Sequence, residues 1–152
     1  MTSPLFPESL NLLYDGKCSV CQWEVDNLTS LGAKGRIAFT DIEAADFDPT
    51  DPRNGGVGYE AAMGKITAVT QSGEILVGIP VFAACYEIVG LGWLFEITQW
   101  PVIGQLIDFA YAIFATIRTD VTRGRRLGDL VAEYKSARDA ASCKVCDREP
   151  PR

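Results

Sequence analysis

Two periods of hydrophobicity run along this chain, one of about two residues and one of about 3.6. Leu10 to Tyr14 is a short apolar run stopped by Asp15-Gly16. It predicts a buried strand ended by a tight turn whose glycine supplies unusual backbone angles. From about Val20 to Leu31, the residues Val20, Trp23, Val25, Leu28 and Leu31 recur at helical spacing up to Gly32, predicting a helix that starts at the turn. Arg36 to Ile42 then alternates as a second strand. A strand–helix–strand unit of this kind predicts parallel strands joined by a right-handed crossover.

Residues 43–58 carry Asp46, Asp48, Pro49, Asp51, Pro52, Asn54, Gly55 and Gly56, and read as a surface loop. A short helical turn is expected near Tyr59 to Met63. Ile66 to Thr70 and Glu74 to Val77 flank Gln71-Ser72-Gly73, the pattern of a β-hairpin with a three-residue loop. From Gly78 to Ile117 the chain is strongly apolar, yet Pro80, Glu87, Gly90, Gly92, Glu96, Pro101, Gly104 and Asp108 interrupt it. A membrane span would need about twenty apolar residues without such breaks. Packed helices at about 80–90, 93–99 and 102–117 are expected instead, with their apolar surface open to a protein partner. A last helix, Leu127 to Ala141, is amphipathic through Leu127, Leu130, Val131 and Tyr134. The expected organisation is one α/β domain over 1–142, a central sheet of about four strands with an enlarged C-terminal helical portion. A flexible tail, 143–152, carries Cys143 and Cys146.

Composition changes this picture little: 152 residues, 47% apolar and 22% charged, suffice for one ordinary core without disulfide staples. Charge adds more. The net of −6 comes from the first 60 residues, with ten acids against four bases, followed by ten against ten. Nucleic acid is disfavoured as a partner for lack of a basic face. The cluster Arg118, Arg123, Arg125 and Arg126 alternates with Asp120 and Asp129 and reads as a solvated helix face. The first residues show neither a basic nor an apolar leader region, so a reducing cytoplasm is the expected compartment, where five cysteines are thiols by default. There is no histidine, which excludes Ser-His and Cys-His catalysis and His-ligated zinc.

Chemistry therefore concentrates on Cys18-Ser19-Val20-Cys21, at the junction of the first strand and helix. The spacing puts both sulfurs on one face, a turn apart, with the first against the free N–H groups and positive end of the helix. Cys18 is expected to attack a disulfide and Cys21 to resolve the mixed disulfide. Lys17 favours the Cys18 thiolate and Asp15 opposes it. Half of a metal site, or a pair of core thiols, remain alternatives at this point.

The run Tyr14-Asp15-Gly16-Lys17-Cys18-Ser19-Val20-Cys21 resembles the Asp-Gly-x-Cys-x-x-Cys signature of the DCC family of predicted thiol–disulfide oxidoreductases. Phe39-Thr40-Asp41-Ile42 resembles the family's second strand, and Tyr111 followed by six residues and Arg118 resembles its Tyr-x6-Arg element. The resemblance, from about Leu10 to Arg126, implies a thioredoxin-like fold. It further implies a redox role for Cys18 and Cys21, a supporting role for Asp15 and Gly16, and a protein or small-molecule thiol or disulfide as substrate, with no cofactor beyond the disulfide itself. One departure stands out. Thioredoxins place a cis-proline just before the hairpin strand that faces the dithiol, whereas Met63-Gly64-Lys65 precede Ile66 here; Pro49, Pro52 and Pro80 lie elsewhere.

Cys143 and Cys146 repeat the spacing in a polar setting. They are a relay for the first pair, part of a four-thiolate zinc site with Cys18 and Cys21, or neither. Cys85 lies in an apolar run and reads as core. Trp23, Trp93 and Trp100 read as packing residues, with Trp23 placed to report on the dithiol. Asp46, Asp48 and Asp51 lack a calcium-loop pattern. The rival to an enzyme is a non-catalytic thioredoxin-like binding or assembly module that docks through its apolar helices, 80–117.

Overall fold

A computed structural model describes residues 4–99 and 101–146, with side chains outside 97–103 and 142–146. Strand β1 (Leu10–Tyr14) leads through helix α1 (Ser19–Leu28) to β2 (Ile37–Asp41). Helix α2 (Tyr59–Gly64) precedes a hairpin of β3 (Thr67–Thr70) and β4 (Ile75–Val77). Three helices follow: α3 (Ile79–Ile88), α4 (Pro101–Arg123) and α5 (Leu127–Cys146), with a 3₁₀ stretch, Gly92–Gln99, before α4.

The sheet order is β2-β1-β3-β4. β1 and β2 are parallel, with Leu10 opposite Ile37 and Tyr14 opposite Asp41. β3 is antiparallel to both β1 and β4. The crossover unit and hairpin read from sequence are thus both present, and the fold is α/β and thioredoxin-like. β1 is buried on both faces because side chains alternate across a sheet. Leu10 and Leu12 enter one core with Leu28, Ile37, Ala68, Val81 and Cys85. Leu13 enters the other with Ile42, Phe47, Tyr59, Met63, Leu130 and Val131. Cys85 is core, as expected.

Between these leucines sits Asn11, fully buried on the Leu13 face. Its amide donates to the Arg53 carbonyl at 2.8 Å and to Asn54 Oδ1 at 3.1 Å, and its Oδ1 accepts from the Thr40 hydroxyl at 2.8 Å. Residues 43–58 are consequently more than a surface loop. Phe47, Asn54 and Val57 are buried, while Asp48 and Asp51 stay exposed and cap the local turns through the N–H groups of Thr50 and Arg53.

Three helical expectations need correction. In α1 most of the apolar stripe is not the inner face: Trp23 is 64% exposed and Val20 and, just past the helix end, Leu31 are also exposed, while of the stripe Leu28 is buried, together with Glu24. The face turned inward is the one that carries Cys18 and Cys21, and the remaining positions follow. Helix α4 continues six residues past the expected end and is inside-out. Arg118 and Thr119 are buried and Tyr111, Thr122 and Arg123 half-buried, while Leu106, Phe109, Ile113, Ile117 and Val121 face solvent. Arg118 and Arg123 therefore do not belong to a solvated face; each has a polar partner on the sheet side of the helix. Trp93, 62% exposed, is not a packing residue either, and Trp100 lies outside the described residues. Helix α5 extends through Cys146, so the backbone at Cys143 and Cys146 is helical where a flexible tail was expected; their side chains lie outside the described residues. No described helix is long and apolar enough to cross a membrane.

Candidate active site

The first dithiol is built by the handover from β1 to α1. Cys18 is the N-cap of α1, with φ −91° and ψ 116°, and its N–H donates to the Asp15 carbonyl at 3.0 Å. The turn before it depends on two aspartates. Asp15, almost wholly buried, accepts from the Lys17 N–H at 2.9 Å, and Asp41 at the end of β2 accepts from the N–H groups of Gly16 and Glu43, each at 2.9 Å. Gly16 is needed for space rather than for unusual angles: a Cβ there would lie 2.0 Å from an Asp41 carboxylate oxygen. That corrects the role read from sequence while keeping the residue in the site.

Cys18 and Cys21 are both free thiols. Cys18 is 0% exposed and Cys21 half-buried. The Cys21 thiol donates a hydrogen bond to the Cys18 sulfur and is the largest influence on it, pulling the Cys18 pKa down to about 5. Burial opposes this; the N–H groups of Cys21 and Val20 and the Thr122 hydroxyl reinforce it. The N–H groups are the free donors of a helix N-terminus that the spacing implied. Cys21 is pushed the other way by the proton it shares with Cys18 and by burial, with the Arg118 charge working against both. The pair titrates as a unit in which the first proton leaves early and the second late.

Helix α4 closes the site from the far end of the chain. Arg118 Nη1 lies 3.7 Å from Cys21 Sγ, and Nη2 donates to the Met63 carbonyl. Arg123 Nη1 meets Asp15 Oδ2 at 3.2 Å and Glu43 Oε1 at 2.7 Å. Glu43 also takes Lys17 Nζ at 2.7 Å and the Tyr59 hydroxyl at 2.6 Å. Burial disfavours the Glu43 carboxylate, but these three partners overcome it and hold the carboxyl down at about 2. The opposition between Lys17 and Asp15 at Cys18 is thereby resolved: each has its own counter-charge, so the hydrogen bonds to the sulfur set the thiolate.

Tyr111, about two turns before Arg118 on the same face of α4, accepts the Ile66 N–H at 3.0 Å. The segment Met63–Ile66 before β3 is thus held at both ends by the Tyr-x6-Arg element. No proline stands there, and every peptide bond among the described residues is trans. The sequence pattern alone does not mark Arg118, Thr122, Arg123 or Glu43 as site residues. Arg118 and Thr122 do carry a signal, the spacing Tyr111, Ala115, Arg118, Thr122 on one face of a helix, which the apolar residues of the other face mask.

Beside Lys17 opens a groove of about 760 Å³, with Glu43, Phe47, Arg123, Tyr59 and Tyr134 in its walls, the two tyrosine rings stacked at 3.8 Å. No cluster of three or more metal-ligating side chains occurs among the described residues. The zinc alternative on Cys18, Cys21, Cys143 and Cys146, and the relay alternative, both turn on two side chains outside that set.

Comparison with known proteins agrees with this geometry. A chloroplastic protein of Arabidopsis thaliana, itself described as uncharacterized, is 37% identical over 135 residues. The match covers 88% of this chain and 62% of the relative's length. No solved structure matches. The family profile of the DCC1-like thiol-disulfide oxidoreductases matches residues 12–124, from the strand that precedes the dithiol to the end of the helix that closes over it. On that match, the chain belongs to the DCC1-like thiol-disulfide oxidoreductase family.

Proposed function

We propose that this protein exchanges disulfides with a thiol or disulfide substrate, Cys18 attacking and Cys21 resolving. The observation that carries the reading is the Cys18 sulfur at the N-cap of α1, held as a thiolate near neutral pH by the Cys21 thiol, two backbone N–H groups and Thr122. The thiolate is the nucleophile in such exchange, and a pKa about 5 keeps it populated throughout the physiological range.

The Cys18 thiolate attacks one sulfur of a substrate disulfide, and the other sulfur leaves as a thiolate and takes up a proton. Cys21 then loses its proton and attacks Cys18, releasing the second substrate thiol and leaving a Cys18–Cys21 disulfide. Two electrons and two protons pass to the substrate; an external dithiol restores the pair. The reverse sequence oxidises dithiols. Because Cys18 has no exposed surface, attack requires a local shift of the residues around it, and the groove beside Lys17 is the adjoining space for a substrate. A reducing compartment, in which both sulfurs wait as thiols, is part of this reading.

The test is the reduction potential of the Cys18–Cys21 pair, together with the rate at which wild type and Cys18→Ser reduce a protein disulfide in the presence of dithiothreitol. A reversible disulfide and a rate lost in Cys18→Ser are expected. A chain that forms no reversible disulfide, or reduces substrate equally well without Cys18, is a binding or assembly module instead.

A further inference from the structure

Arg118 is a buried cation with no carboxylate partner among the described residues. The residue is 6% exposed, Nη2 is bound to the Met63 carbonyl, Nε has no hydrogen-bond partner, and Nη1 points at Cys21 Sγ. Nearby Arg123 has two carboxylates at 2.7 and 3.2 Å. A buried guanidinium without a counter-ion is costly. Among the described residues, the ionisable group that the Arg118 guanidinium touches is the Cys21 sulfur. In the resting dithiol that sulfur keeps its proton, so the contact serves a different moment of the cycle.

Building on the dithiol reading above, we infer that Arg118 acts catalytically in the resolving half-reaction, stabilising the Cys21 thiolate once Cys18 is bound in a mixed disulfide. In that intermediate the Cys18 charge has left with the first substrate thiolate, and Cys21 has lost the acceptor that held its proton. The Cys21 proton goes to solvent, and its electron pair forms the Cys18–Cys21 bond. The bond between Cys18 and the substrate sulfur breaks, and that sulfur leaves as a thiolate and is protonated. Throughout, Nη1 faces the sulfur that gains and then donates the charge. The bond from Nη2 to Met63, together with the Tyr111–Ile66 bond, fixes the guanidinium in place before the step.

A single-turnover reaction with dithiobis-nitrobenzoate separates the halves, since one coloured thiolate is released by attack and a second by resolution. The full chain is used, with Cys143 and Cys146 changed to serine. An opposite charge in contact shifts a thiol by about 1–2 units. Each unit lost cuts the thiolate fraction about tenfold and returns about threefold in nucleophilicity. In Arg118→Gln the first phase should stay within about twofold of wild type at neutral pH, while the second slows about 3–10-fold and its pH midpoint rises by about 1–2 units. Arg118→Lys should recover part of both. A second phase unchanged in rate and midpoint in Arg118→Gln overturns the inference. If that variant does not fold, wild type decides: a second-phase midpoint below the free-thiol value of about 8.5 supports the inference, and one at or above it overturns it. Absence of a first phase in wild type overturns the dithiol reading itself, a distinct result.

Discussion

Replacing Cys21 with alanine removes the strongest influence on the Cys18 thiolate without touching the helix N–H groups or Thr122. A hydrogen bond to a charged group contributes about 1.5–3 kcal/mol net. At about 1.36 kcal/mol per unit that is about 1–2 pKa units. Cys18 should therefore move from about 5 to between about 6 and 7. The choice of pH then decides whether anything is visible. At pH about 7 the thiolate fraction falls from near complete to no less than about half, whereas at pH about 5 it falls from about one-half to between about one-tenth and one-hundredth. Thiolate ultraviolet absorbance, titrated as a difference against Cys18→Ala, reads this population directly and cancels the other cysteines. Cys21→Ser, which keeps a shorter donor, should show a smaller rise. A midpoint in Cys21→Ala that stays near 5 or falls would refute the shared-proton account and leave the helix N–H groups and Thr122 as the cause.

The ion cluster makes a prediction of opposite character. Glu43 is held at about 2, below its ordinary value, so its contribution to stability is complete above about 4.5 and lost as pH falls through about 2. Arg123→Gln takes the cation from buried Asp15 and leaves Glu43 only Lys17 and the Tyr59 hydroxyl, and should cost about 3–5 kcal/mol near neutral pH by urea unfolding, with a shallower decline in acid than wild type. Parallel pH profiles would remove the cluster from the argument. Asn11→Ala orphans its partners at Arg53, Asn54 and Thr40, and is expected to cost about 2–4 kcal/mol and to speed amide exchange across residues 54–57; a loss under about 1 kcal/mol would mean water replaces the amide. Tyr111→Phe removes the acceptor of the Ile66 N–H, a loss of about 1–3 kcal/mol, and should leave the Cys18 titration where it was.

Much of the fold is legible because its signals are local. The period-two run ending at Asp15-Gly16, the glycine-closed hairpin and the start of α1 at the dithiol all follow from neighbours in sequence. The rest is set by distant partners. Nothing near Glu24 announces that it is buried while Trp23 is exposed; that follows from which face of α1 the two sulfurs need. The same holds for α4, where the usual expectation of an apolar inner face is reversed by Cys21, Asp15, Met63 and Ile66, all polar targets about 45 to 108 residues away. The prolines and aspartates over 43–58 signal a surface loop, but Phe47 and Val57 are its anchors and a buried amide on β1 is its tether.

Helix α4 also fixes when the site becomes complete. Synthesis delivers the dithiol early, and the sheet has all its strands once β4 has emerged. Until Arg123 arrives, however, Asp15 lacks its cation, Cys18 lacks the Thr122 hydroxyl and Cys21 faces no guanidinium. Closing that contact spans 97 residues between Cys21 and Arg118, so it belongs to the late stage of folding. A growing chain therefore carries the dithiol with its local partners alone, and the contacts from Arg118, Thr122 and Arg123 are added only when α4 docks.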